Sequence, residues 1–240
     1  MNRIACVTGA DRGLGLSLTR WLLEHGFTVF AGRYMQEWEE LDQLKRIYPQ
    51  KLELVALDVG NADSVEQAAA AIGDKAPHLD LIINNAGITK ATDQATVEGD
   101  LDFDSMMQIY NVNTLGALRV SHALMELLLQ GTDKLIVNIS SEAGSVSRNQ
   151  RNVMYGYCMS KSALNMQSSI LHQHLRPQGG QVMVIYPGWL QSYMGGDLNM
   201  SAPISPDVSA DGIMKLVTNH EAYKREQPIF LDYEGQEWPW

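Results

Sequence analysis

The sequence predicts an α/β chain built as a doubly wound, mostly parallel sheet of seven strands with helices on both faces. Two observations carry that reading. Short apolar runs alternate with helix-patterned segments along the chain, and the residues with chemical potential fall just after those runs. Strand, helix, strand in succession favours parallel pairing through right-handed crossovers. In such sheets ligands gather beyond the carboxyl ends of the strands.

Taken in order, the apolar runs are "RIACV", "FTVFAG", "LELVALDV", "LDLIINNAG", "KLIVNIS", "QVMVIYPG" and "PIFLD". Their Val, Ile and Leu content suits strands covered on both faces. The first helix, in "LGLSLTRWLLEHG", sets Leu14, Leu18, Trp21 and Leu22 on one face and stops at Gly26. The helix in "ADSVEQAAAAIGDKAP" begins near Asp63 and Ser64 and stops before Pro77. After "DLDFDS" another helix lines up Met106, Tyr110, Asn113, Ala117 and Val120, which leaves Asn113 as a polar residue on a mostly apolar stripe. A later helix opens in "YGYCMSKSALN". There Tyr157 and Lys161 share a face, whereas Tyr155 has Met159 at the same offset.

Composition narrows the functions open to this sheet. At 240 residues, 45% apolar and 19% charged, the chain is expected to form one domain, 1–240, with no repeat or low-complexity stretch. Eighteen basic residues against 28 acidic ones leave a formal charge of −10 and no basic patch, which argues against a nucleic-acid partner. "IACV" is too short for a signal-peptide core, and no run approaches the roughly 20 apolar residues of a membrane span. A cytoplasmic protein without a membrane segment is expected. Cys6 and Cys158 are the only cysteines, and His172 and His174 point different ways on a helix, so neither a disulfide framework nor a metal site is expected.

Directly after the first strand, "TGADRGLG" brings Gly9, Gly13 and Gly15 to the mouth of the first helix. Glycines there allow a tight turn, and the helix N-terminus offers free N–H groups to a pyrophosphate. The spacing is G-x-x-x-G-x-G rather than the commoner G-x-G-x-x-G. At the end of the second strand an acid would accept from the ribose 2′-hydroxyl of NAD, whereas an arginine suits the 2′-phosphate of NADP. "AGR" ends on Arg33, with no acid before Glu37, and Arg12 lies in the glycine loop within reach of the same phosphate. NADP(H) is therefore expected over NAD(H). Asp11 is the one residue there whose charge opposes it.

With "TGADRGLG", "NNAG", "NTLG" and the Tyr157–Lys161 pair all present, the chain resembles the short-chain dehydrogenase/reductase family nearly end to end, with the Rossmann-like sheet that this implies. The resemblance assigns the cofactor phosphates to the loop of Gly9, Asp11, Arg12, Gly13, Leu14 and Gly15. It assigns the adenine amine to Asp58 with the Val59 backbone beside it, and the adenosine ribose to Asn85, Ala86 and Gly87. Pro187 and Gly188 would shape the turn beside the nicotinamide, and Ser192 would bond its carboxamide. The implied catalytic group is Asn113, Ser141 rather than Ser140, Tyr157 and Lys161. Tyr157 donates a proton, Ser141 steadies the carbonyl oxygen, and Asn113 anchors a water leading to the lysine. Lys161 also holds the nicotinamide ribose, and its ammonium is expected to lower the pKa of Tyr157.

The stretches "SSEAGS", "YCMSKSALNM" and "PGWLQSYMGG" look like the branch of sniffer-type carbonyl reductases and bacterial C-factor proteins. That implies NADPH-dependent reduction of an aldehyde or ketone, reversible to alcohol oxidation. A non-catalytic NADP-binding sensor or signalling protein, or an NAD-dependent alcohol dehydrogenase, are the alternatives. Ile88, Met154, Tyr155, Trp189 and Met194 are candidate pocket walls, and Arg148 and Arg151 candidate contacts for an anionic group. Residues 188–206, with Gly195 and Gly196, form the substrate loop. The helices bearing Asn113 and Tyr157 are candidate faces for a homodimer or homotetramer.

Overall fold

The computed structural model describes residues 3–240. Seven strands pair, all in parallel, in the order β3-β2-β1-β4-β5-β6-β7. They are β1 Ile4–Val7, β2 Thr28–Arg33, β3 Leu52–Ala56, β4 Leu81–Asn84, β5 Leu135–Ile139, β6 Gln181–Tyr186 and β7 Ile229–Asp232. The helices are α1 Gly13–Glu24, α2 Glu40–Ile47, α3 Ala62–Gly73, α4 Phe103–Tyr110, α5 Ala117–Ala123, α6 Met125–Gln130, α7 Tyr155–Leu175 and α8 Pro206–Thr218.

Alternation along each strand feeds two cores, because successive side chains leave opposite faces of the sheet. Ala5 and Val7, Val29 and Ala31, and Leu81 and Ile83 enter one core, with Leu18 and Leu22 of α1, Leu41 of α2 and Ile213 of α8. Ile4 and Cys6, Phe30, and Ile82 enter the other, with Val65 and Ile72 of α3, Val120 of α5 and Leu175 of α7. Trp21 is only partly buried at the edge of the first core and stacks on His25 at 3.5 Å.

Two helix boundaries differ from the pattern reading. Asn61, not Asp63 or Ser64, caps α3, its side-chain oxygen accepting from Ser64 N at 3.0 Å. The expected helix through Asn113 is interrupted after α4 by a π-helical turn, Asn111–Gly116. Two contacts fit that distortion. Asn113 bonds across to Ile88, and Gly116 lies so close to Val59 that a β-carbon there would sit 2.8 Å from Val59 Cγ2. No helix of the described residues is long and apolar enough to cross a membrane.

Asp80, buried at 1% exposure, ties the amino end of the sheet together by accepting from Ile4 N and Thr132 N, both at 2.8 Å. Asp80→Ala leaves both donors unpaired and is expected to cost about 3 kcal/mol, read as a lower urea midpoint with unchanged slope.

Candidate active site

Every residue singled out after a strand lies at the same edge of the sheet, because all seven strands run in one direction. The order reverses between β1 and β4, and there the Thr8 hydroxyl accepts from Asn85 N and Ala86 N, both at 3.0 Å. Asn85 Nδ2 returns bonds to Thr8 O and Gly9 O. Gly9 has φ +61, and a β-carbon there would meet Ala86 Cα at 2.9 Å. Gly13, at φ +56, opens onto free space. The α1 N-terminus has no side-chain cap, so its first N–H groups are left to a ligand. Leu14 turns its side chain into the core. This open cradle at a helix N-terminus fits a dinucleotide pyrophosphate.

At the far end of the cradle the arginines differ from one another. Arg33 departs from its expected role: Nη1 and Nη2 pair with Asp42 at 3.1 and 2.8 Å, and Nη2 also donates to Gln36 O and Trp38 O. Its Nε alone is buried without a partner, a donor that a ligand oxygen would satisfy. Asp11 is occupied by backbone, accepting from Tyr34 N at 3.0 Å and Met35 N at 3.1 Å. Burial raises its pKa, and those N–H groups and Arg33 pull it back. Arg12 carries the accessible cation, stacked 4.7 Å from the Trp38 ring and 4.9 Å from the Tyr193 ring. Trp38 and Tyr193 were silent in the sequence, since their meeting joins the loop after β2 to the substrate loop. Asp58 Oδ1 accepts from Gly60 N at 2.8 Å, and Val59 O accepts from Arg119.

The catalytic candidates come from three elements. Lys161, 3% exposed on α7, donates through Nζ to Ile139 O at 2.9 Å and lies 5.8 Å from the Tyr157 ring centre. A β-carbon on Gly87 would stand 3.6 Å from that Nζ and 3.4 Å from Asn113 Oδ1, so "NNAG" abuts both residues. Asn113 is fully engaged: Oδ1 accepts from Ile88 N at 2.7 Å, while Nδ2 donates to Ile88 O and Ser160 Oγ. Ser140 and Ser141 part company after β5. Ser140 donates to Asn165 Oδ1 within the core, whereas Ser141 Oγ donates to Glu142 Oε2 and lies near enough to the Tyr157 hydroxyl to act on its pKa.

The expected fall in the Tyr157 pKa is reversed. Its hydroxyl is pushed up to about 12, chiefly by burial, with the Ser141 hydroxyl pulling down and the Glu142 carboxylate pushing up. Burial likewise brings Lys161 down to about 8. Desolvation outweighs attraction here because the lysine points at a carbonyl and stands off from the ring.

Asp93 sets where α7 begins. It is 2% exposed in a 3₁₀ turn, Ala91–Gln94, and accepts from Gly156 N and Tyr157 N, both at 2.8 Å. Met154, left-handed at φ 64, turns the chain into the helix and donates to Asp93 O. No local pattern announces this cap, which lies more than 60 residues upstream.

The longer loop after Ser141 has its arginines engaged. Arg151 pairs with Glu142, and Arg148 stacks 5.0 Å from the Trp238 ring, so neither is the free cation that an anionic substrate would need. Ser147 Oγ donates to Trp240 O at 3.2 Å, so the final residues buttress that loop. Beyond β6, Pro187 O accepts from Ser209 Oγ and Gly188 turns at φ +83. Gln191 N bonds Ile204 O at 2.9 Å, closing the base of the substrate loop, and Ser192 O accepts from Asn199 N within it. Of the expected pocket walls, Trp189 and Met194 are exposed, while Ile88, Met154 and Tyr155 are half-buried.

A family model described as short chain dehydrogenase matches residues 3–202. C-signal of Myxococcus xanthus is 36% identical over 165 residues, spanning 68% of this chain and 93% of that protein. The 1-hydroxy-2-glutathionyl-2-methyl-3-butene dehydrogenase of Rhodococcus sp. (strain AD45) is 30% identical over 214 residues, 89% of each. Among solved structures, an NADPH-bound carbonyl reductase from chicken fatty liver aligns with a TM-score of 0.85 at 31% identity, over 100% of this chain and 99% of that one. The carbonyl reductase Sniffer of D. melanogaster aligns at 0.85 and 28% identity over the whole of both. A glycine cradle at the switch point, a tyrosine and lysine one turn apart on α7, and these matches together make the chain a member of the short-chain dehydrogenase family of oxidoreductases.

Proposed function

We propose that this protein is an NADPH-dependent reductase of aldehydes and ketones, running in reverse as an alcohol dehydrogenase. The observation that carries the proposal is the convergence of Ser141, Tyr157 and Lys161, with Asn113 behind them, beside an open dinucleotide cradle. When bound, the reduced nicotinamide supplies the hydride. The chain's own residues do the rest. Gly9, Gly13, Gly15 and the α1 N-terminus hold the pyrophosphate, while Asp58, Asn85 and the turn at Pro187 and Gly188 line its two ends. Ser141 donates to the carbonyl oxygen as negative charge develops there, and Tyr157 delivers the proton. A hydroxyl held near 12 stays protonated at neutrality, which suits a donor in the reducing direction. Lys161 sits where it can return that proton or hold the ribose. Asn113, bonded to both Ile88 and Ser160, fixes the approach of the π-helical turn to α7.

The cofactor choice rests on Arg12, since Arg33 is paired with Asp42 and bonded to the Gln36 and Trp38 carbonyls. The free state of both cysteines agrees with a reducing cytoplasmic setting. Apolar side chains exposed on α4 and α7, among them Phe103, Met107, Met166 and Ile170, are the basis for expecting self-association. The likeness to C-signal favours a signalling role as the second reading, and turnover separates the two.

Loss of NADPH absorbance over a panel of aldehydes and ketones tests the reading. Tyr157→Phe is expected to lower kcat by 10²- to 10⁴-fold or about that while still binding cofactor, and undiminished turnover in this variant would remove Tyr157 as the donor. Arg12→Ala is expected to raise KM for NADPH about tenfold or more while leaving that for NADH nearly unchanged, and equal effects on both cofactors would end the 2′-phosphate assignment.

The titration of Lys161 gives a stability test. Between pH 8 and 10.5 or thereabouts, this lysine is protonated in the unfolded chain and neutral in the folded one, so stability contributed through it rises with pH. Tyr157 acts in the opposite direction between about 10 and 12, where only the unfolded phenol has ionised. The unfolding free energy of the parent, relative to Lys161→Met, is expected to grow by about 2 kcal/mol from pH 8 to 10 in urea titrations. A flat difference would mean that Lys161 is not desolvated.

A further inference from the structure

Glu142, which directly follows Ser141, has entered so far only through its charge on Tyr157 and its pair with Arg151. The Ser141 hydroxyl carries a single proton, which rests on Glu142 Oε2 at 2.7 Å and must turn away from it to serve the Tyr157 hydroxyl or a substrate, while Ala143 N donates into the same Oγ at 3.1 Å. Glu142 Oε1 is held by Arg151. The carboxylate is thus pinned at both oxygens, with 28% of the side chain exposed. When Ser141 turns its proton to a substrate carbonyl, Oε2 loses its donor while Arg151 still holds the other oxygen. An acceptor left unpaired in a half-buried site raises the free energy of that complex. A substrate bringing its own donor to Oε2 removes that penalty.

We propose that Glu142 is a specificity-determining residue that accepts a hydrogen bond from a hydroxyl on the carbon next to the reacting carbonyl, so that the site takes hydroxy ketones and hydroxy aldehydes over plain ones. The position follows from the shared serine. Oε2 and the incoming carbonyl oxygen are both partners of the Ser141 hydroxyl, so the substrate donor lies close to its own carbonyl. A neutral hydroxyl fits better than an ammonium, because Arg151 already neutralises the carboxylate and would repel a second cation. An anionic neighbour is disfavoured by Glu142 itself, with Arg148 and Arg151 both engaged. This inference rests on the reductase reading of the same site.

The test compares 1-hydroxy-2-butanone with 3-pentanone, which differ by a hydroxyl in place of a methyl, in the parent, Glu142→Gln and Glu142→Leu. Each protein gives a ratio of kcat/KM values. Damage to the fold or to Ser141 affects both ketones alike and cancels, and intrinsic ketone reactivity cancels between proteins. The parent ratio is expected to exceed that of Glu142→Leu by about 10- to 100-fold, with Glu142→Gln between them because its amide oxygen still accepts. Equal ratios in parent and Glu142→Leu overturn the assignment and leave the reductase reading standing. A parent that binds NADPH by fluorescence yet reduces neither these ketones nor the wider panel overturns both.

Discussion

Four hydrogen bonds between Thr8–Gly9 and Asn85–Ala86 hold together the point on which the rest of the site depends. Here the strand order turns back on itself, and the chain leaves β1 and β4 toward opposite faces of the sheet. A crevice opens of necessity wherever that happens in a parallel sheet. In this chain the crevice is fastened by a threonine hydroxyl and an asparagine amide rather than filled with apolar packing. The glycine cradle on one side and the Asn113–Lys161 cluster on the other are thereby held in a fixed relation, with Gly87 between them.

Burial is the second organising force, and it acts on function as well as on fold. The same desolvation that keeps Tyr157 protonated strips Lys161 of much of its preference for charge. Neither effect is compensated by a direct ion pair. The site therefore holds two groups away from their ordinary proton affinities, the lysine at a cost to stability near neutrality and the tyrosine only above about pH 10, a pattern that clusters at functional sites.

What was legible in the sequence was whatever repeats within one element. All seven strands, the glycine turn and the shared face of Tyr157 and Lys161 are local patterns, set by periods of two and 3.6 and by the missing side chains of glycine. What stayed hidden depends on chain segments that meet only after folding. Asp93 caps a helix more than 60 residues away, and Trp38 and Tyr193 reach Arg12 from two separate loops. The π-helical turn likewise follows from contacts to Ile88 and Val59 that no helical periodicity encodes. Arg33 shows a subtler limit. Its charge was correctly seen at the end of β2, but a partner nine residues on, Asp42, neutralises it, and the Gln36 and Trp38 carbonyls take further donors.

The bond from Ser147 to Trp240, together with the Arg148–Trp238 stack, bears on how the protein is handled at the bench. An affinity tag or fluorescent fusion appended after Trp240 is attached within one hydrogen bond of the loop that carries Arg151. Kinetic constants measured on such a fusion would report the tag as well as the pocket, so variants are best compared with nothing joined directly to Trp240.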